Sequence, residues 1–307
     1  MISKEEYKQK VASFINEDDI NIYKKKKLQF KVAMSITLPV EFVIALIVAI
    51  VISSPMSFAP FVFFVVIGGV SFVIIYTTTR FKWDQYKEKY IYQILEFLLV
   101  DYKYEYDAKR YIQSSVFNAS PFAAYYDHYS GEDLIKINIP NDDGTPSSTI
   151  LSLCDLHITK TEEDADGDTH TVTVFNGIFG YIDFPFEFKC SLGINDYAHG
   201  KNMKKIKLED IAFNKKFKIY TDNQMEALVI LTPTMMKKLE DFQNRTKGFA
   251  IVLTGNKMYF HIYKDMLEMK RPKKEFTAEV FDDIYDDIHT ILSVVEEIKT
   301  NNKVFKM

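Results

Sequence analysis

Acidic side chains and a histidine that could transfer protons lie in two segments that the alternation of residue types predicts as strands. Glu132 and Asp133 stand at the start of one segment, and Asp155 and His157 lie in the next. Carboxylate and imidazole groups are common general acids and bases. We expect these four residues to carry the chemistry if the chain is an enzyme. A triad with Ser152 is not expected, because successive side chains of a strand face opposite sides.

An acidic segment further along the chain has the beginning of a calcium-loop pattern. Glu162, Asp164 and Asp166 occupy alternate positions, and Gly167 stands sixth. An EF-hand loop also needs a bidentate glutamate at its twelfth position and a helix on each side. Thr173 occupies that position, and the flanks are predicted as strands. The pattern favours a solvated hairpin turn, with a weak calcium site at the three acids as the alternative.

The other chemistry-bearing residues do not have the spacing of a cofactor site. The six histidines include no HxxxH pair, and the two cysteines form no CxxC pair, although such spacings are typical of zinc ligands. His157 and His170 could face each other across a predicted hairpin with Cys154 nearby, which leaves a metal site as a minor alternative. No glycine-rich phosphate loop or nucleophile elbow is present, so we expect no cofactor.

The cysteines and the net charge argue against two further classes of protein. Cys154 and Cys190 are the two cysteines of the chain, and they are expected to be buried, reduced thiols. The net charge is −4, which provides no basic field for nucleic acid. We therefore expect neither a disulfide framework nor a nucleic-acid partner.

Two apolar runs, residues 32–52 and 58–76, are separated by an uncharged five-residue segment. A membrane span needs about 20 mostly apolar residues. The runs therefore predict a transmembrane hairpin over residues 32–79, with the lipid bilayer as partner. Lysines precede the first run, and Arg80 and Lys82 follow the second. By the positive-inside rule both termini are expected in the cytoplasm, as in a multi-pass protein of the cell membrane.

Small and charged residues within these runs have a predicted role of their own. Ala45 and Ala49 in the first run, and Gly68 and Gly69 in the second, are expected to let the two helices approach closely. Glu41 is the one charged residue of the runs. As an intramembrane polar group it either lines an ion path or extends toward the nearby lysines, and the second interpretation is favoured.

The sequence predicts an α+β chain with five parts. An N-terminal two-helix transmembrane hairpin is followed by a cytoplasmic domain of antiparallel strands and packed helices. The parts are an amphipathic helix and basic stretch at 1–31, the hairpin at 32–79, a juxtamembrane helix at 80–118, the α+β domain at 119–300 and a tail at 301–307.

Several segments together resemble an uncharacterised bacterial family, the domain of unknown function 3137. They are residues 129–133, 153–157, 175–179, 208–210, 213–217, 220, 222, 226–227 and 231–233. The family often has an acid where Cys154 stands, and an arginine where Leu228 and Val229 stand. The resemblance implies attachment to a bacterial cell membrane and, weakly, a LemA-like membrane protein as partner. It implies no reaction and no catalytic residues.

Three functions remain open from the sequence. The first is a membrane-anchored cytoplasmic module that binds or scaffolds a ligand, and the absence of a catalytic signature favours it. The second is an enzyme with a membrane-proximal substrate, which would use Glu132, Asp133, Asp155 and His157. The third is a homo-oligomeric membrane assembly in which Glu41 lines a path.

Overall fold

A computed structural model describes residues 2–52, 59–79, 83–140, 148–195, 202–246, 248–267 and 276–301. The chain divides into two units. The first unit comprises Met1–Tyr7, Ile91–Glu268 and Phe281–Met307. The second unit comprises Lys8–Tyr90 and Met269–Val280.

The first unit is built on one antiparallel sheet, which has nine strands among the described residues. Their order is β1-β2-β3-β4-β9-β8-β5-β7-β6. The predicted class, α+β with antiparallel strands and helices, is confirmed. The strands are β1 (Lys103–Asp107), β2 (His128–Asn138), β3 (Ile150–Glu163), β4 (Thr169–Asp183), β5 (Leu192–Ile194), β6 (Lys204–Ile206), β7 (Ile219–Thr221), β8 (Phe249–Thr254) and β9 (Lys257–Ile262).

The helices have these bounds: α1 (Lys4–Phe14), α2 (Glu17–Ile52), α3 (Ala59–Thr79), α4 (Trp83–Leu98), α5 (Ser114–Ala119), α6 (Ile211–Lys216), α7 (Gln224–Ile230), α8 (Pro233–Gln243) and α9 (Asp282–Thr300). The start of α8 follows the local sequence. The side chain of Thr232 accepts a hydrogen bond from the Met235 amide at 3.1 Å, and proline occupies the first turn, as helix starts favour. A single turn of 3₁₀ helix, Ala278–Phe281, precedes α9.

Both faces of the sheet are buried along β3. Cys154, Leu156 and Ile158 belong to a cluster with side chains from the segment between β1 and β2, among them Ile112, Phe117 and Phe122. The alternate residues Leu151 and Leu153 are also buried. Because alternate residues of a strand face opposite sides, the sheet is the middle layer of the first unit.

The second unit contains the pair of helices α2 and α3. Phe30 packs edge-on against Phe72, with ring centroids 6.4 Å apart. Lys26 donates from Nζ to the backbone carbonyl of Thr78 at 3.0 Å. The predicted helical hairpin is thus present as two helices that contact each other.

The prediction that these helices cross a membrane is wrong. Within the described ranges, no helix combines the length and the apolar character that a crossing requires. A crossing needs about 20 consecutive, mostly apolar residues in one helix. The long helix α2 begins with a charged half that includes Glu17, Asp18 and Asp19, and residues 53–58 of the predicted hairpin lie outside the described residues. The predicted location, a multi-pass protein of the cell membrane with both termini in the cytoplasm, is contradicted by the same finding.

The segment predicted as a juxtamembrane helix, residues 80–118, does not form one helix over its described part, residues 83–118. Helix α4 ends at Leu98, and β1 follows at Lys103–Asp107 as an edge strand of the sheet. The sequence of β1, KYEYD, places aromatic residues at alternate positions. That period of two favours a strand over a helix, and it is the signal that the prediction of one continuous helix missed.

Gly177 in β4 occupies a position that only glycine fits. Its φ is +146°, and a Cβ there would lie 2.1 Å from the carbonyl oxygen of Ile262 and 2.8 Å from the amide nitrogen of Lys264. Both neighbours are backbone atoms and cannot rotate away. The close approach lets β4 contact the end of β9.

We expect Gly177→Ala to lower the free energy of unfolding by at least about 2 kcal/mol, because it combines a steric clash with backbone strain. Chemical denaturation followed by circular dichroism measures the change. Gly248→Ala is the matched control, since its Cβ would lie 3.5 Å from the Tyr263 ring, an ordinary contact. Equal stability of the two variants would contradict this account of β4.

Candidate functional site

The pairing of β2 with β3 brings three of the four predicted catalytic residues to one face of the sheet. Glu132 lies directly opposite Asp155, and Ser130 lies opposite His157. Directly opposed residues share a face, and so do residues two apart on one strand. Glu132, Asp155 and His157 are therefore neighbours, with Glu132 and His157 exposed and Asp155 buried.

The Asp155 carboxylate holds a distant part of the backbone. Both of its oxygens lie 3.0 Å from the amide nitrogen of Met266, which donates a hydrogen bond to them. Asp155 is 8% exposed, and Met266 is fully buried. Hydrogen bonds to a charged acceptor are stronger than neutral ones, so this contact fixes the segment that follows β9. The geometry gives Asp155 a structural task.

Asp133 lies in an irregularity of β2. The pairing of β2 with β3 shifts between Glu132 and Ile135, and Asp133 has φ +60°, in the left-handed region that aspartate tolerates better than most residues. Its carboxylate accepts a hydrogen bond from the Tyr106 hydroxyl at 2.6 Å. Burial first, and then this hydrogen bond, raise the pKa of Tyr106. Asp133 thus stabilises a β-bulge next to β1.

His157 lies beside an amide on the next strand. Its Nδ1 is 3.0 Å from Oδ1 of Asn176, which is its partner in the β3–β4 ladder. The same ladder pairs His170 with Glu162, so His157 and His170 do not face each other. The part of the chain that the structure describes contains no group of three or more His, Cys, Asp or Glu residues that could hold a metal ion.

Both cysteines are free and buried. The Ile112 amide donates to Sγ of Cys154 at 3.3 Å. Burial raises the pKa of the Cys154 thiol to about 12 and that of the Cys190 thiol to about 11. Since the thiolate is the reactive form, neither group is suited to nucleophilic chemistry.

The acidic segment of the calcium prediction spans the end of β3 and the turn between β3 and β4. Oδ1 of Asp164 accepts hydrogen bonds from the backbone amides of Asp166 and Asp168, each at 3.0 Å. Glu162 forms an ion pair with Lys160 at 2.5 Å. Aspartate side chains in turns commonly accept hydrogen bonds from backbone amides a few residues further along the chain. Weak calcium binding remains a prediction.

The sequence analysis missed a buried ion pair near the end of β9. Nζ of Lys264 lies 2.9 Å from Oδ1 of Asp287 and 3.7 Å from Oδ2 of Asp283. Asp287 is 3% exposed, and its Oδ2 has no hydrogen-bond partner among the described residues. A signal was available, because Asp287 lies within the apolar stripe of α9, between Ile284 and Ile291.

Burial dominates the ionisation of Asp287. Desolvation raises its pKa to about 6, against the opposing effect of Lys264. The ordinary value for aspartate is about 3.9. The folded state therefore holds a proton on Asp287 at pH values where the unfolded state has released it.

The second unit carries a feature of another kind, an apolar surface. Of the 28 large hydrophobic side chains that are exposed among the described residues, 19 lie on α2 and α3. We call these 19 residues the α2–α3 surface. They are Ile22, Leu28, Val32, Ile36, Leu38, Val40, Phe42, Val43, Ile44, Leu46, Ile47, Val65, Val66, Ile67, Val70, Phe72, Val73, Ile74 and Tyr76.

Glu41 lies against α3. A Cβ on Gly68 would be 3.3 Å from Oε2 of Glu41, whereas one on Gly69 would meet nothing within 4 Å. Oε2 is shielded from solvent and has no hydrogen-bond partner among the described residues. Gly68 thus gives the carboxylate room. The side chains of Ala45 and Ala49, which were also predicted to pack, lie outside the described residues.

We expect Asp155→Ala to cost about 1–3 kcal/mol of stability, because it leaves the buried Met266 amide without its acceptor. Hydrogen exchange of the Met266 amide should become faster, which a general loss of packing would not produce selectively. Asp155→Asn keeps one acceptor oxygen and should cost less. A Met266 amide equally protected in all three proteins would contradict this role.

Asp287 makes the free energy of unfolding depend on pH. Because its folded pKa of about 6 exceeds the unfolded value, the stabilisation from protonated Asp287 is complete below about pH 4. It is lost as the pH rises through 6. A shift of about two units corresponds to about 3 kcal/mol. The stability difference between the wild type and Asp287→Asn should fall by that amount across this range.

Urea denaturation at a series of pH values measures this difference. Asp166→Asn is the control, because Asp166 is exposed in the turn between β3 and β4, and it should keep the wild-type slope. Parallel pH profiles for the wild type and Asp287→Asn would refute the assignment.

Comparison with known proteins gives a family model that matches part of the chain, but no reaction. No curated protein matches the chain significantly in sequence. The crystal structure of the mycobacterial trehalose monomycolate transport factor A, TtfA, matches with a TM-score of 0.34 and 8% sequence identity, over 66% of this chain and 93% of that chain. A similarity at this level supports no inference about function.

A family model described as "Protein of unknown function (DUF3137)" matches residues 173–300. These residues extend from the middle of β4 to the end of α9. The match confirms the resemblance seen in the sequence segments that lie within it, while it leaves membrane attachment without support. By this match, residues 173–300 of the chain are similar to the family of unknown function DUF3137.

Proposed function

We propose that the chain is a binding or scaffold module that acts through protein–protein contact. The observation that carries this proposal is the α2–α3 surface, which holds 19 of the 28 exposed large hydrophobic side chains of the described residues. Folded monomers rarely expose contiguous apolar patches above a few hundred Å², and larger patches mark interaction sites. An exposed surface of this composition favours a partner.

The predicted catalytic residues do not favour an enzyme. Asp155 is engaged with the Met266 amide, Asp133 with the Tyr106 hydroxyl, and His157 with Asn176. A general base must reach the proton that it removes, and each of these three groups already has a hydrogen-bond partner within the fold. These contacts favour a structural role for the three residues.

Site-specific photo-crosslinking of the full chain in living cells tests this proposal. A photoreactive residue at Val43 or Val70 places the probe on the α2–α3 surface, where these side chains are 55% and 56% exposed. We expect specific protein adducts from both positions. Controls at Tyr125 and Ile150, which are exposed in the first unit, should give few. Adducts at the control positions only, or none at any position, would refute the proposal.

A further inference from the structure

We infer that the partner of the α2–α3 surface is a second copy of this chain. The inference rests on the proposed function, because it names the partner of the same surface. Four features of the second unit support it, namely the size of the surface, its distribution around the helices, its charge and the packing of α2 on α3.

The size of the surface fits a stable interface between two proteins. The 19 side chains are between 36% and 61% exposed. Full burial of one such side chain contributes about 1.5–3 kcal/mol. At about 25 cal/mol per Å², this energy corresponds to roughly 60–120 Å² of apolar area for each side chain. Half of that for each of the 19 residues gives an apolar area on the order of 600–1,100 Å². A stable interface buries about 800 Å² per partner, so helices of the second copy would have to cover most of the surface, and not one side of it, to reach that area.

The distribution of the exposed side chains favours a partner made of helices over a partner that binds one side of a helix in a groove. Phe42, Val43 and Ile44 are exposed at three successive positions of α2, as are Val65, Val66 and Ile67 in α3. Successive residues on a helix point about 100° apart, so the apolar side chains extend around each helix. A groove would cover one stripe with a period of three to four residues. A helix that is apolar on all sides is normally buried among other helices.

The charge of the surface permits pairing of identical copies. Glu41 is the one charged residue between positions 32 and 79, and Oε2 of its carboxylate is shielded from solvent beside Gly68. Between residues 32 and 76, two identical surfaces therefore meet without opposing like charges. Ile22 and Leu28 lie among Lys24, Lys25, Lys26, Lys27 and Lys31, so they stay outside the paired region. Like-charge contacts across an interface would cost several kcal/mol.

Aromatic side chains already pack within one copy. Phe30 of α2 packs edge-on against Phe72 of α3, and within α3 Phe72 stacks on Tyr76 with ring centroids 6.1 Å apart. Phe72 is still 45% exposed and Tyr76 is 36% exposed. A second pair of helices presents the same side chains to these rings, and association of identical chains is the commonest form of oligomer.

Sedimentation of the purified full chain over a range of concentrations tests this inference. We expect a dimer or a larger closed oligomer. The double variant Val43→Lys with Val70→Lys places a charge on each helix, and it should weaken self-association roughly 10- to 100-fold. Ile150→Lys, on β3 in the first unit, is the matched control and should sediment as the wild type does. Circular dichroism shows whether each variant is folded.

The outcomes separate this inference from the proposed function. A monomeric wild type whose Val43 and Val70 probes capture a different protein overturns the inference and leaves the proposed function standing. A monomeric wild type that yields no protein adduct, or that binds lipid vesicles in place of protein, overturns both. An oligomer that survives unchanged in the folded double variant overturns the inference, because its interface then lies elsewhere.

Discussion

The first unit depends on how the chain leaves β9. The strand ends at Ile262, and Met266 and Leu267 in the segment that follows are fully buried. A buried backbone needs partners for its amides and carbonyls. Asp155 of β3 accepts from the Met266 amide, and the Lys264 carbonyl accepts from the Ile178 amide at 3.1 Å. Gly177 provides the space for this approach, and Lys264 extends to Asp287 of α9. One short segment thereby connects β3, β4, β9 and α9.

The parts of the fold that depend on local sequence could be predicted. Thr232 and Pro233 begin α8 where their types indicate, and Gly255 forms the turn between β8 and β9 with φ +58°. The apolar stripe of α9 is buried as its spacing predicts, for example at Ile284 and Ile291. In each case the cause lies within a few residues of its effect.

Only part of the candidate site could be predicted, because its contacts join residues that are far apart in the sequence. That Glu132, Asp155 and His157 share a face follows once β2 is paired with β3. What Asp155 does depends on Met266, which is 111 residues away in the sequence. The bulge at Asp133 likewise depends on Tyr106 in another strand. The Lys264–Asp287 pair brings a loop and a helix together. A local pattern can mark Asp287 as unusual within the apolar stripe of α9, but it does not specify the partner in any of these contacts. The chemical type of each residue, in contrast, can be read from the sequence.

The strand order has a consequence for how this family is defined. The segment matched by the family model begins at residue 173, inside β4, and leaves out β1, β2 and β3. A fragment with that boundary would lack the neighbour that pairs with β4 along its whole length, and it would expose Ile178, Phe179 and Ile182, which are fully buried in the intact sheet. An uncovered central strand invites aggregation. We therefore expect a fragment limited to residues 173–300 to be less stable and more prone to aggregation than the same fragment extended to include β1, β2 and β3.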